Sequence, residues 1–173
     1  MVKQLKKKLR KAIGHNEMTD KYDGILRVRG FKKNLTRFFL DGLLTMRDFT
    51  YEKNELELND HGDIIYSDTK LPRYCLIRRT WGGSISFKKI PLSQFKDEDP
   101  ITLYFDAHFQ NEVHPIQLQM ICKMYGIDMR VHVFKETDEF EQEIEILNGK
   151  VIKDVEMTAD GDVLYNIHQT LEG

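Results

Sequence analysis

The run Ile101–Phe109, ITLYFDAHF, alternates without a break. Ile101, Leu103, Phe105, Ala107 and Phe109 fall at one parity, and Thr102, Tyr104, Asp106 and His108 at the other. Successive side chains of a strand point to opposite faces, so this run has one apolar face to bury and one polar face to leave open. A helix would scatter the same five apolar residues around its circumference. The chain must therefore build a sheet with one covered side, and the rest of the sequence has to supply the cover.

Two segments have the helical period that a cover needs. Leu35, Phe38, Phe39, Leu43 and Met46 recur at helical spacing, and Asn34 is suited to cap their N-terminus, which predicts an amphipathic helix over 34–46. In the second segment Pro115 suits the first helical turn, and Leu118, Ile121, Met124 and Tyr125 form an apolar side. Gly126 there suits the position just past the C-terminus. Further strands are predicted from the alternation in GILRVRG (24–30) and in IDMRVHVF (127–134), where Ile127, Met129, Val131 and Val133 point inward. Asn148-Gly149 between two alternating runs predicts a C-terminal hairpin over 141–156.

Residues 51–90 are β-like and broken by the turn residues His61-Gly62-Asp63 and Trp81-Gly82-Gly83-Ser84. The second turn predicts a hairpin with Trp81 packed against the sheet and Arg78, Arg79, Lys88 and Lys89 lying together across it. Residues 91–100 form a loop. Residues 1–20 are read as a basic helix or arm, and 157–173 as a final strand, helix or tail. The expected fold class is α+β, a single domain over 21–173. It is a ferredoxin-like antiparallel sheet with two packed helices, a β-hairpin insertion at 51–90 and the C-terminal hairpin.

With 40% hydrophobic and 31% charged residues, the chain has enough apolar material for a core without disulfides. No apolar run approaches the roughly 18 residues of a membrane span, and no apolar segment follows the basic N-terminus as in a signal peptide. Cys75 and Cys122 are far apart and fit two core thiols in a reducing cytoplasm.

Charge is polarised along the chain. Residues 1–50 hold 13 Lys/Arg against 5 Asp/Glu, whereas residues 101–173 hold 5 against 14. Either the two ends pair with each other or stay solvated, or they form a basic and an acidic binding face. The candidate basic face is Lys6, Lys7, Arg10, Arg27, Arg29, Lys32, Lys33, Arg78, Arg79, Lys88 and Lys89, a set that would hold phosphates of a nucleic acid. Tyr104, on the polar side of its strand, would offer a ring for base stacking, while Asp106 beside it would repel phosphate. The candidate acidic patch is Glu136, Asp138, Glu139, Phe140, Glu141 and Glu143. It is either a solvated loop leading into an edge strand, or a ligand for a basic protein groove with Phe140 as anchor.

Nucleotide-loop, nucleophile-elbow and HExxH motifs are absent. Asp106, His108, Glu112 and His114 cluster where a strand meets a helix, in no diagnostic ligand spacing, so neither a catalytic group, a metal nor a cofactor is assigned. A small metal-dependent hydrolase using Asp106, His108 and His114 remains a third alternative.

The pattern resembles the YubB-type family of ferredoxin-like proteins carried by phages and plasmids. The likeness is carried by Leu26-Arg27-Val28-Arg29-Gly30, Trp81-Gly82, Phe105-Asp106-Ala107, Met124-Tyr125-Gly126 and Asn148-Gly149, over residues 23–154. The chain departs from that family where Gly83-Ser84-Ile85-Ser86 replaces a second aromatic, and where Pro115 stands without a second proline. The resemblance implies a ferredoxin-like fold and a mobile-element origin, and carries over no catalytic residue. The expected function is therefore a non-enzymatic accessory protein that binds and modulates a host nucleic-acid-handling protein or complex in the cytoplasm, as anti-CRISPR proteins do. The alternative is direct DNA or RNA binding through the basic N-terminal half.

Overall fold

The apolar side of Ile101–Phe109 is covered as its alternation demands. The computed structural model describes residues 22–47, 50–53, 56–67, 73–77, 83–110, 113–135, 140–158, 160 and 163–165. The elements run β1 (Tyr22–Gly30), α1 (Lys32–Asp41), β2 (Leu43–Arg47), β3 (Thr50–Lys53), β4 (Leu56–Leu58), β5 (Ile64–Tyr66), β6 (Arg73–Ile77) and β7 (Gly83–Phe87). After β8 (Lys89–Ile90) and a short 3-10 turn come β9 (Ile101–Phe109), α2 (Pro115–Tyr125), β10 (Asp128–Lys135), β11 (Phe140–Leu147), β12 (Lys150–Met157) and β13 (Val163–Tyr165). The described residues are thus mixed α and β, with two helices and antiparallel sheets.

Ten strands form one sheet in the order β13-β12-β11-β10-β1-β9-β7-β6-β2-β3, and β4-β5-β8 form a second, smaller one. Within the large sheet β1 lies between β9 and β10, antiparallel to both. Residues 51–90, expected as an inserted hairpin, supply β6, β7 and nearly all of β3 to the large sheet, and all three strands of the small one.

Both helices lie on the side that carries Leu26, Val28, Phe105, Ala107, Met129, Val131 and Val133, all buried. α1 contributes Leu35, Phe38 and Phe39, and α2 contributes Leu118, Ile121, Cys122 and Tyr125. They meet through Phe38 and Tyr125, with ring centroids 5.7 Å apart. The small sheet extends the same core. Tyr66 stacks on Phe87 at 5.3 Å, and Phe87 meets Phe39 and Phe105 edge-on. Aromatic clusters of this kind combine large buried area with favourable edge geometry.

One expected element is corrected. The first helix spans Lys32–Asp41 and is capped at Phe31 without a side-chain bond, so Asn34 lies inside it. The Asn34 amide instead donates to Gly126 O at 3.0 Å, tying α1 to the end of α2. Leu43 and Met46 belong to β2. Leu43 is buried there as it would be in a helix, which is why its spacing misled. The turns at Gly126 and at Asn148-Gly149 follow the sequence, whereas Trp81-Gly82 lie outside the described residues. Gly126 has the left-handed φ of 65° at the C-terminus of α2, and Asn148 and Gly149 turn the last hairpin at φ 50° and 71°.

Residues 59–63 are a turn closed by side chains. Asn59 Oδ1 accepts from the amides of His61 (3.0 Å) and Asp63 (2.9 Å). The buried Asp63 carboxylate pairs with Lys89 at 2.8 Å and accepts from Ser93 N at 2.8 Å. The Lys89 ammonium first, and then the Ser93 donors, hold its carboxyl well below the usual range against the opposing effect of burial. Cys122 is buried as expected, and burial pushes its thiol far up, reinforced by the nearby Asp128 charge. Cys75 has no described side chain.

Candidate functional site

Among the described residues, no helix lies on the other side of the large sheet. Here the alternation places the polar residues of β1, β9, β10 and β11 in straight cross-strand rows. One row runs Glu141, Phe134, Asp23, His108, Ser84, and the next Glu143, His132, Ile25, Asp106, Ser86. A third runs Glu145, Arg130, Arg27, Tyr104, and a fourth contains Asp128, Arg29 and Thr102. The basic strand from the N-terminal half thus lies one strand away from the acidic strand of the C-terminal half.

The register sets Arg27 opposite Arg130, a like-charge pair that destabilises a sheet unless acids intervene. β11 supplies them. Arg27 Nη2 reaches Glu145 Oε1 at 2.8 Å, and Arg130 Nε donates to Glu143 Oε1 at 2.6 Å. Lys153 of β12 donates to the other Glu143 oxygen at 2.5 Å. Burial would raise the Glu143 pKa, but the bonds from Lys153 and Arg130 outweigh it and hold the carboxyl below its ordinary value. At the margins, His132 faces Glu141 at 3.3 Å, His108 Nδ1 lies 2.5 Å from Asp23 Oδ1, and Arg29 is 3.7 Å from Asp128.

Within this lattice stand three apolar side chains open to solvent: Tyr104 (68% exposed), Ile25 (52%) and Phe134 (49%). Each has charged or polar neighbours on its own face. Asp106, beside Tyr104 and exposed, pairs with no cation among the described residues. Comparison with protein-family models, curated proteins and solved structures returned no match.

The candidate residues are distributed as follows. Arg27 and Arg29 lie on the open face. Lys32 and Lys33 lie in α1, where Lys32 is 2.9 Å from Asp97, and Lys89 is held by Asp63. The described cations Arg27, Lys32 and Lys89 are thus each committed to an internal acid. The β6–β7 register sets Arg73 against Phe87, so Lys88 and Lys89 leave the hairpin at the end opposite its turn. Lys6, Lys7, Arg10, Arg78, Arg79 and Trp81 lie outside the described residues, as do Glu136, Asp138 and Glu139. Glu141 and Glu143 are the lattice members just described. Phe140 is half-buried, edge-on to Tyr22 with centroids 5.8 Å apart, and packs against the core.

Asp106 and His108 share the open face, while His114 caps α2 and Glu112 lies outside the described residues. No group of three His, Cys, Asp or Glu able to hold a metal occurs among the described residues. No helix among them is long and apolar enough to cross a membrane.

Sequence reasoning missed the buried polar set Gln142, Asp154 and Lys135 on the core side of β10–β12. Gln142 Nε2 donates to Val113 O at 3.3 Å, while its Oε1 has no partner among the described residues, and the Lys135 ammonium lies 5.8 Å over the Tyr22 ring. Gln142 and Lys135 do break the apolar parity of their strands, which was the available signal, whereas Asp154 reaches the core side through the bulge opposite Glu145 and Ile146.

Proposed function

We propose that this protein is a non-enzymatic accessory protein of a phage or other mobile element that acts by binding a host nucleic-acid-handling protein through the open face of its sheet. The observation that carries this reading is the face itself. Its strongest charges are paired with one another, leaving exposed Tyr104, Ile25 and Phe134 among them. Interface centres are poor in uncommitted charge and rich in aromatic and Arg side chains, and that is the composition here. The mobile-element origin rests on the YubB resemblance, and the anti-defence role on that resemblance together with the charge polarity and the lack of catalytic motifs in the sequence.

The fold reading that goes with it is ferredoxin-like. Its support is the order strand, helix, strand, strand, helix, strand, the antiparallel neighbours β10-β1-β9-β7, and both helices on one face. In that arrangement β7 stands second, and β2, β3 and β6 extend the sheet beyond it.

Direct binding of single-stranded nucleic acid is a second reading, favoured by one observation. Tyr104 on a central strand faces Arg27 across the register, a pairing suited to stacking a base above a cation. The paired arginines weigh against it, as does Asp106, which pairs with no cation among the described residues. Capture from a nuclease-treated host extract separates the two. A discrete protein retained by the native chain and lost with the Ile25→Ser/Phe134→Ser double variant supports protein binding. Retention of single-stranded oligonucleotide, lost as salt is raised, supports the second reading and overturns the first.

A further inference from the structure

Strand β9 is fully paired on one side only. β1 pairs with it from Ile101 to Phe109, whereas β7 pairs only with Asp106–Phe109. After Phe87 the chain bends out of the large sheet, and Lys89–Ile90 pairs with β5 in the small one. The backbone of Ile101–Phe105 therefore faces a place where no strand stands among the described residues. Along Leu103–Asp106 that place opens into a cleft of about 480 Å³. Phe87, Ile90 and Leu103 line it, and Ile25, Tyr104 and Asp106 stand at its mouth.

We propose that this cleft is a docking slot for an extended peptide segment of a protein partner. The segment enters as a short extra strand beside Ile101–Phe105, sets apolar side chains against Phe87, Ile90 and Leu103, and brings a Lys or Arg to Asp106. The inference rests on the reading of the open face as a protein-binding surface and names the partner's chemistry at one place on it.

Three observations select this occupant. First, unpaired amides and carbonyls along a strand edge are a template for another strand, and strand addition draws affinity from the main chain and specificity from side-chain pockets. Five residues of edge span about 16 Å, enough for a short strand. Second, the segment Phe87–Pro91 walls the far side, so the edge of a second folded sheet is kept out while a free segment can enter. Third, of the two charges at the slot, Lys89 is held by Asp63 at 2.8 Å, and Asp106 pairs with no described cation. The uncommitted charge is negative, which attracts a basic side chain and repels a phosphate.

The test is selection of a displayed library of short linear peptides on the full chain, followed by titration of the synthetic peptides recovered. The expected peptides alternate apolar residues and carry a Lys or Arg. Tyr104→Ala and Asp106→Lys each weaken binding by roughly tenfold or more with an unchanged unfolding midpoint. N-methylation of the peptide backbone abolishes binding at one parity and is tolerated at the other, since only alternate amides face β9. No enrichment, equal binding by both variants, tolerance of N-methylation at either parity, or an oligonucleotide taking the site in place of a peptide overturns the slot. If no peptide is enriched but a host protein is still captured and lost with Ile25→Ser/Phe134→Ser, the slot fails alone and the open-face reading stands. If peptides dock in the slot but no host protein depends on Ile25 and Phe134, the wider reading fails alone.

Discussion

The two faces of the large sheet are made by the same strands and held by different forces. Under the helices, Leu26, Val28, Phe105, Met129, Val131 and Ile144 are buried to within a few per cent and pack on Phe38, Phe39 and Leu118. There the stabilisation comes from area removed from water and from close packing, which punish any lost volume. On the open face the alternate residues include Arg27, Arg130, Glu143 and Glu145, which are partly exposed and cross-linked by ion pairs. Those pairs order the surface without contributing much to stability, because water screens them. A face that contributes little to folding can be shaped by binding, whereas a packed face cannot.

That contrast predicts a graded series of effects. The largest belongs to the core. Phe39 touches Phe38, Phe87 and Phe105 and has no exposure. Phe39→Ala is expected to cost about 3–5 kcal/mol in chemical denaturation, from lost transfer energy and the cavity left behind. A cost below that of an exposed substitution would mean that the core is not continuous beneath β9.

Glu143 is the most demanding position on the open face, because it serves two cations while only 15% of its side chain is exposed. Glu143→Gln is expected to cost about 1–2 kcal/mol, since Arg130 and Lys153 lose a charged acceptor in a half-buried place. The loss should shrink in high salt, measured as a difference in denaturation midpoint.

Acid titration is the third measurement. The carboxyls of Glu143 and Asp63 sit below their ordinary values of 4.5 and 3.8 in the folded chain. A depressed carboxyl adds stability that is fully present above the unfolded value and is lost as pH falls through the folded one. Unfolding free energy should therefore fall as pH drops below about 4.5, and it should fall less steeply in Glu143→Gln, which keeps the Asp63 contribution but loses that of Glu143. Equal slopes for the two proteins would show that the Glu143 bonds are not formed in solution.

The smallest effect on stability is expected where binding is proposed. Tyr104→Ala should shift unfolding by no more than about 0.5 kcal/mol, because the ring touches water more than protein. A larger cost would make Tyr104 part of the fold and remove it from the face.

Much of the core side was legible in the sequence for a physical reason. Strict alternation in Ile101–Phe109, the left-handed glycine at 126 and the Asn148-Gly149 turn are local signals, and each appears where the sequence puts it. The first helix was misread past Asp41 because a strand that starts at Leu43 buries the same residue a longer helix would. The open face was legible only in part. Alternation identifies Tyr104, Arg27 and Glu143 as facing the same way within their own strands. Which strand neighbours which is set by long-range pairing, and no local pattern encodes that β1 falls between β9 and β10. The pairing of basic and acidic halves was present as one reading of the charge polarity, but its partners, Arg27 with Glu145 and Arg130 with Glu143, follow only from register. The cleft beside Ile101–Phe105 was invisible, since it exists because β7 and β8 belong to different sheets.

The comparison of faces can be tested at two positions. A photo-crosslinking aromatic is placed at Tyr104 on the open face, and separately at Ile116, which is 58% exposed on α2 behind the opposite face. Each protein is exposed to nuclease-treated host extract and illuminated. A discrete protein adduct from position 104 and none from position 116 is the predicted result. Adducts of equal yield at both positions, or an adduct from 116 alone, would contradict the assignment of the open face as the contact surface.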